Sequence, residues 1–138
     1  MAKKSRRVVM AHSDMQKPLV FLIDDDQELR EVLEQALLKQ NFDVITDEDG
    51  QAGFDRLFHL NCVPDLIVID NCLPGMLGTE FARQKKEYPQ FSHVPLILIS
   101  SDKDLEAQLP GLSVDHFLKK PLKLDDFMKQ VKSAMVSA

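Results

Sequence analysis

The stretch DLIVIDNCLPGMLG, Asp65 to Gly78, sets four consecutive apolar residues, Leu66, Ile67, Val68 and Ile69, directly before a carboxylate, Asp70, and turns at Pro74 and Gly75. An apolar run of this length, rich in β-branched residues and closed by Pro-Gly, has the pattern of a strand buried on both faces, as in parallel sheets covered by helices. Asp70 then stands at the strand's carboxyl end. In open α/β sheets ligands bind at that edge, because the outgoing loops gather there. An aspartate in this place also opens the kind of turn that Pro74 and Gly75 complete, so Asp70 alone does not separate a site from a turn.

The pattern recurs on both sides. LVFLI (Leu19 to Ile23) is a strand candidate, followed by a helix face of Leu29, Val32, Leu33, Ala36 and Leu37 that Asp26 can cap. DVIT (Asp43 to Thr46) precedes a helix carrying Ala52, Phe54, Leu57 and Phe58 on one side, and Thr79 to Glu87 forms a third helix. VPLILIS (Val94 to Ser100) and DHFL (Asp115 to Leu118) are the last strands, and Leu124, Phe127, Met128, Val131 and Met135 give the final helix its face. Between Asp102 and Leu112, Pro110 and Gly111 predict a fourth helix that is short or irregular. Five βα units predict an α/β fold: a parallel sheet with helices on both faces and right-handed crossovers.

With 138 residues, 44% hydrophobic and 28% charged, the chain has the size of one domain with a real core. Lys3, Lys4, Arg6, Arg7 and Lys17 against Asp14 make residues 1–17 locally +4, which leaves −9 of the net −5 for the remainder. Residues 1–17 read as a basic, disordered arm on an acidic body. Such a body disfavours phosphate backbones, so nucleic acid is not an expected partner. Val8 to Ala11 is too short for an export signal, and no segment approaches membrane-spanning length, so no membrane contact is expected. Cys62 and Cys72 then read as reduced thiols of a cytoplasmic protein. His12, His59, His93 and His116 lack metal-ligand spacing and receive no chemistry.

Three strands end in polar residues on one edge: Asp24, Asp25 and Asp26 after the first, Asp70 at the third, Ser100 and Ser101 at the fourth. Lys120 follows the fifth, before Pro121. Nucleotide-binding α/β folds place glycines after the first strand to cradle phosphate; here there are acids. Clustered carboxylates repel phosphate unless a hard cation such as Mg²⁺ stands between them. A carboxylate nucleophile, a metal with an ammonium to offset charge, and a hydroxyl to bind an oxygen are the parts of an acyl-phosphate chemistry. Asp70, Asp24 with Asp25, Lys120 and Ser100 match those parts.

FLIDDDQELR, DLIVIDNCLPGMLG, VPLILISS and FLKKP resemble, in order, the successive signatures of the response regulator receiver domain of two-component signalling, over Leu19 to about Ala134. The resemblance implies a flavodoxin-like (βα)5 fold over residues 18–138, with sheet order 2-1-3-4-5. It implies Mg²⁺ held by Asp25, Asp70 and the backbone carbonyl of Cys72, with Asp24 acting through water. It also implies phosphorylation of Asp70 by a histidine kinase or phosphotransfer protein, and signalling by contact with a downstream protein. Ser100 would be the switch hydroxyl and Lys120, before a cis Pro121, the family's lysine. Phe117 stands where the family often has a switch tyrosine, Cys72 sits two residues after the acceptor where side chains tune dephosphorylation, and the Ser100 to Lys120 interval is shorter than the family pattern. Apart from its own phosphorylation and dephosphorylation no enzymatic activity is expected, and with only a last helix after Pro121 a stand-alone receiver is expected.

Two alternatives stand beside this reading. A phosphatase resembling the haloacid dehalogenase group would use Asp24 as nucleophile with Asp26, Ser100, Lys120 and the Asp125–Asp126 pair, but Gln27 departs from that pattern and Asp70 is left without a task. A receiver fold kept as an unphosphorylated binding module would not need the intact acids, Ser100 and Lys120.

Overall fold

The computed structural model describes residues 17–137, and the basic arm expected over residues 1–17 lies, but for Lys17, outside them. Strands β1 (Leu19–Ile23), β2 (Asp43–Asp47), β3 (Leu66–Asp70), β4 (Leu96–Ser100) and β5 (His116–Lys119) form one parallel sheet of order β2-β1-β3-β4-β5. Helices α1 (Gln27–Lys39), α2 (Gly50–Leu57), α3 (Gly78–Lys86), α4 (Lys103–Glu106) and α5 (Leu124–Ser137) alternate with them. The predicted fold class and strand order are those observed.

Side chains alternate across a strand, so a run with no polar break must be covered twice. Phe21, Ile23, Ile67, Ile69, Leu96 and Leu98 pack on one side with Phe54 and Leu57 of α2, Phe81 and Ala82 of α3, and Leu105 of α4. Val20, Leu22, Leu66, Val68, Ile97 and Ile99 pack on the other with Leu33 and Leu37 of α1 and Phe127, Val131 and Ala134 of α5. Each such side chain contributes about 1.5–3 kcal/mol by leaving water, which holds the carboxyl edge of the sheet as a rigid platform.

Several predicted details are corrected. In α2 the buried face is Gly50, Gly53, Phe54 and Leu57, while Ala52 and Phe58 are exposed. Glycine carries no hydrophobic signal, yet here it occupies the contact stripe. Val32 and Leu124 also lie outward, on the rims of α1 and α5. β4 begins only at Leu96, after Pro95, which has no N–H to offer the ladder. β5 begins at His116 because the Asp115 carboxylate accepts the Leu96 N–H at 2.8 Å and closes the start of the pair. As predicted, α4 is short: Asp102 caps it through the Asp104 N–H at 2.9 Å, Leu105 alone anchors it, and a 3₁₀ turn over Leu109–Gly111 follows.

Buried Lys85 fastens the connection from α3 to β4, donating to the carbonyls of Phe91 (3.1 Å), Ser92 (3.3 Å) and Val94 (2.9 Å). Burial pulls its ammonium below the usual lysine range, against the nearby charge of Asp115.

The loop from β3 to α3 seats on the start of α2. The Gly50 N–H donates to the Pro74 carbonyl at 2.9 Å, and a Cβ on Gly50 would stand 2.1 Å from the Met76 carbonyl oxygen. At the other end of the loop a Cβ on Gly78 would stand 2.6 Å from the Asp70 carbonyl oxygen. Gly50→Ala is therefore expected to lower the melting midpoint by the equivalent of roughly 2 kcal/mol or more. Gly111, where a Cβ would meet nothing within 4 Å, is the control. Gly111→Ala is expected to be neutral or to stabilise by up to about 1 kcal/mol. Thermal melts of both variants check the pair, and an unperturbed Gly50→Ala would contradict the close approach.

Candidate functional site

Strand register brings the site together. Ile23 pairs with Ile69 and Asp70 with Ile99, so the ends of β1, β3 and β4 lie side by side, and Ser100 pairs with Lys119 at the end of β5. Carboxylate oxygens of Asp24, Asp25 and Asp70 all lie within 4.8 Å of one another. Asp24 and Asp70 are buried, and Asp25 faces solvent. Lys120 enters from the β5 exit, its ammonium 3.0 Å from Asp70 Oδ1 and 3.7 Å from Asp24 Oδ2. Its neighbour Lys119 is exposed. The bond between Lys120 and Pro121 is cis.

The loops complete the enclosure. Asp70 Oδ2 accepts the Cys72 N–H at 3.2 Å, and Asp24 Oδ1 accepts the Asp26 N–H at 2.9 Å. Asp24 Oδ2 is buried without a hydrogen-bond partner. Ser100 is buried, and its Oγ accepts the Asp102 N–H at 3.0 Å. Phe117 is half-buried against the α2–α3 side of the core, while the Cys72 side chain is exposed. Asp26 caps α1 through the Leu29 N–H at 3.2 Å, so its carboxylate is turned to the helix.

Two residues to which the sequence reading gave no part hold this backbone in place. The Asn71 side-chain oxygen accepts the Thr79 N–H at 3.0 Å and so fixes the start of α3 against the end of β3. Arg30 donates from Nη1 to the Asp24 carbonyl at 2.7 Å. The available signal for Arg30 was its place: a cation close to a helix N-terminus runs against the helix dipole.

Burial pushes the Asp70 carboxyl above its ordinary value, against the hydrogen bond from Lys120. Burial likewise pushes Asp24 up, against the Asp26 N–H and with added repulsion from Asp70. Burial works to lower Lys120, but the Asp70 hydrogen bond and the surrounding acids outweigh it and leave the ammonium above the usual lysine value. Three carboxylates close together, one of whose oxygens, Asp24 Oδ2, is buried without a hydrogen bond, suit a small hard cation such as Mg²⁺.

A carboxyl whose folded pKa lies above its unfolded value, 3.8 here, costs the fold stability as the pH rises through the interval between the two. Lys120, also raised, has the same sign in a higher window: its contribution is present below the unfolded lysine value, 10.5, and is lost as the pH rises through the interval above it. In metal-free buffer at neutral pH, Asp24→Asn is therefore expected to raise the melting midpoint by several degrees, the size that about 1 kcal/mol makes in a domain of this length. The advantage is expected to shrink as the pH falls and the wild-type acids take up protons. A lowered midpoint at neutral pH would contradict this balance.

The family model described as "Response regulator receiver domain" matches residues 20–132. Among relatives, Hybrid signal transduction histidine kinase D of Dictyostelium discoideum is 30% identical over 121 residues, 86% of this chain and 8% of that protein. Response regulator ArlR of Staphylococcus aureus is 29% identical over 118 residues, 84% of this chain and 52% of that protein. The chain thus spans from less than a tenth to about half of the length of these relatives. Among solved structures, chemotaxis response regulator CheY4 of Vibrio cholerae superposes with a TM-score of 0.78 at 19% identity, over 86% of this chain and 99% of that one, which shows the shared fold. Among the described residues no helix is long and apolar enough to cross a membrane. With a family match over most of its length and the sheet order of that fold, the chain belongs to the response regulator receiver domain family of two-component signalling.

Proposed function

We propose that this chain is a phospho-accepting receiver in which Asp70 takes a phosphoryl group from a histidine kinase or phosphotransfer protein and the domain then signals by protein contact. The observation that carries the reading is the setting of Asp70: a buried carboxylate at the end of β3, with the Lys120 ammonium 3.0 Å from one oxygen and the Asp24 and Asp25 carboxylates within 4.8 Å. An aspartate that merely opened a turn has no need of two further acids and a lysine.

Asp24, Asp25, Asp70 and the backbone carbonyl of Cys72 would hold Mg²⁺, an ion that when bound offsets the charge of the transferring oxygens. A lone pair of an Asp70 oxygen forms the new O–P bond as the N–P bond to the donor's imidazole breaks, and the imidazole nitrogen keeps that pair. Burial at the strand end fixes the direction of the Asp70 carboxylate, so little orientation remains to be found during transfer. Lys120 holds Asp70 before transfer and stays beside the new oxygens after it. Ser100 is the nearby buried hydroxyl that can turn to them; doing so exchanges its bond with the Asp102 N–H, the N-cap residue of α4. Output then runs through residues 100–118, whose helix is four residues long, and Phe117 follows by burial of its ring without a hydroxyl partner. The asymmetry of anchoring supports this direction, since α1 buries Leu33 and Leu37 while α4 rests on Leu105 alone.

Incubation with a small acyl phosphate and Mg²⁺, followed by intact mass, tests the reading. Wild type is expected to gain one phosphoryl group and Asp70→Ala none. Lys119→Ala is expected to behave as wild type, while Lys120→Ala accepts phosphate without the change in amide exchange over residues 100–118. A phosphoryl group on Asp70→Ala, or greater damage from Lys119→Ala than from Lys120→Ala, would overturn the assignment.

A further inference from the structure

We propose that Arg30 is a positioning residue for the cation site, holding the peptide between Asp24 and Asp25 so that both carboxylates face the ion. The inference rests on the reading of those acids as the ion's ligands.

β1 ends at Ile23 and α1 begins at Gln27; of the three aspartates between them, Asp24 gives its N–H to the Asp47 carbonyl of β2 and Asp26 its carbonyl to the Arg30 N–H of α1, while the Asp24 carbonyl belongs to neither ladder. A backbone carbonyl in such a place, beside a fully buried side chain, needs a partner. Around Asp24 the accounting is complete but for one atom. Its N–H donates to the Asp47 carbonyl at 3.1 Å, Oδ1 accepts the Asp26 N–H at 2.9 Å, and its carbonyl accepts Arg30 Nη1 at 2.7 Å. What remains is Oδ2, buried, without a hydrogen bond, and 3.7 Å from the Lys120 ammonium. Because a peptide group is planar, fixing the Asp24 carbonyl also fixes the N–H of Asp25 and the position of the Asp25 Cα from which its side chain leaves.

Arginine suits this task by shape. Its side chain is 15% exposed, and while Nη1 reaches the Asp24 carbonyl, Nη2 lies 3.8 Å from the carboxylate of Glu48 in the loop after β2. One planar fork therefore ties the loop after β1 to the loop after β2. The side chain reaches back because helical side chains tilt towards the helix N-terminus, and Arg30 sits just beyond the first turn of α1.

The sign of the effect separates positioning from charge. As a bare positive charge near three acids, Arg30 would repel a divalent cation, so its removal would tighten binding. As the group that sets two ligands, its removal loosens binding. The experiment is a calorimetric Mg²⁺ titration, at fixed ionic strength, of the wild type, Arg30→Met, Arg30→Lys and Asp25→Asn, with thermal melts of each protein. Arg30→Met keeps the stem and loses donor and charge, and is expected to weaken Mg²⁺ binding about tenfold, the usual size for loss of an outer-shell partner. Arg30→Lys, which keeps a donor but loses the fork to Glu48, is expected to bind between wild type and Arg30→Met. If Arg30→Met does not fold, Arg30→Gln, too short to reach the carbonyl, takes its place. Unchanged or tighter Mg²⁺ binding in that variant, whatever its melting midpoint, would overturn the proposal, as would Arg30→Lys binding no better than Arg30→Met. If the wild type bound no Mg²⁺, or if Asp25→Asn bound it equally well, the proposed function itself would fall and this inference with it.

Discussion

The contact between the Lys120 ammonium and the Asp70 carboxylate, 3.0 Å across the ends of β5 and β3, organises the rest of the site. Two buried carboxylates stand together there, and a third is within reach at the rim. One ammonium cannot balance three acids. Burial, with the acids' mutual repulsion added, raises the pKa values of Asp24 and Asp70, and Asp24 Oδ2 is left without a hydrogen bond. Groups left in this condition are concentrated at working sites, because burial without full compensation is tolerated only where another partner arrives.

A sheet of this kind can carry such an edge because everything beneath it is apolar. Leu66 to Ile69 have no exposed surface, and the strands on either side are buried as well. Fixing the backbone of β3 therefore fixes Asp70, whereas an acid on a surface loop would have to be oriented anew for each encounter. Mobility is left to the other end of the device. Ser100 ends a rigid strand but bonds the backbone of Asp102, the cap of a helix only four residues long. A small rearrangement at the strand end thus meets, within two residues, the segment with the least packing to resist it.

Most of this was legible in the sequence, for a physical reason. Strands buried on both faces produce uninterrupted runs such as Leu19 to Ile23 and Leu66 to Ile69, and their polar terminators, ambiguous one by one, mark the edge when taken together. Helix faces were less legible. Gly50 and Gly53 form half of the buried stripe of α2, so a search for apolar residues finds Phe54 and Leu57 but completes the stripe with Ala52 and Phe58, both of which are exposed. Lys85 shows a second limit: in the run Gln84, Lys85, Lys86 it reads as a surface charge, and only the turn of three carbonyls around it explains its burial. Arg30 and Asn71 were missed because they act on backbone atoms, and a hydrogen bond to a carbonyl or an N–H leaves no partner in the sequence to look for.

The central claim is the proposal that Mg²⁺ binds at this acidic edge, and the melting midpoint as a function of Mg²⁺ at neutral pH tests it most directly. An ion that binds the folded protein stabilises it by about 2.7 kcal/mol at a hundred times its dissociation constant. The account predicts a midpoint that rises steadily once Mg²⁺ exceeds that constant, with no such rise when a monovalent salt supplies the same ionic strength. A midpoint that ignores Mg²⁺, or that follows both salts alike, would contradict it.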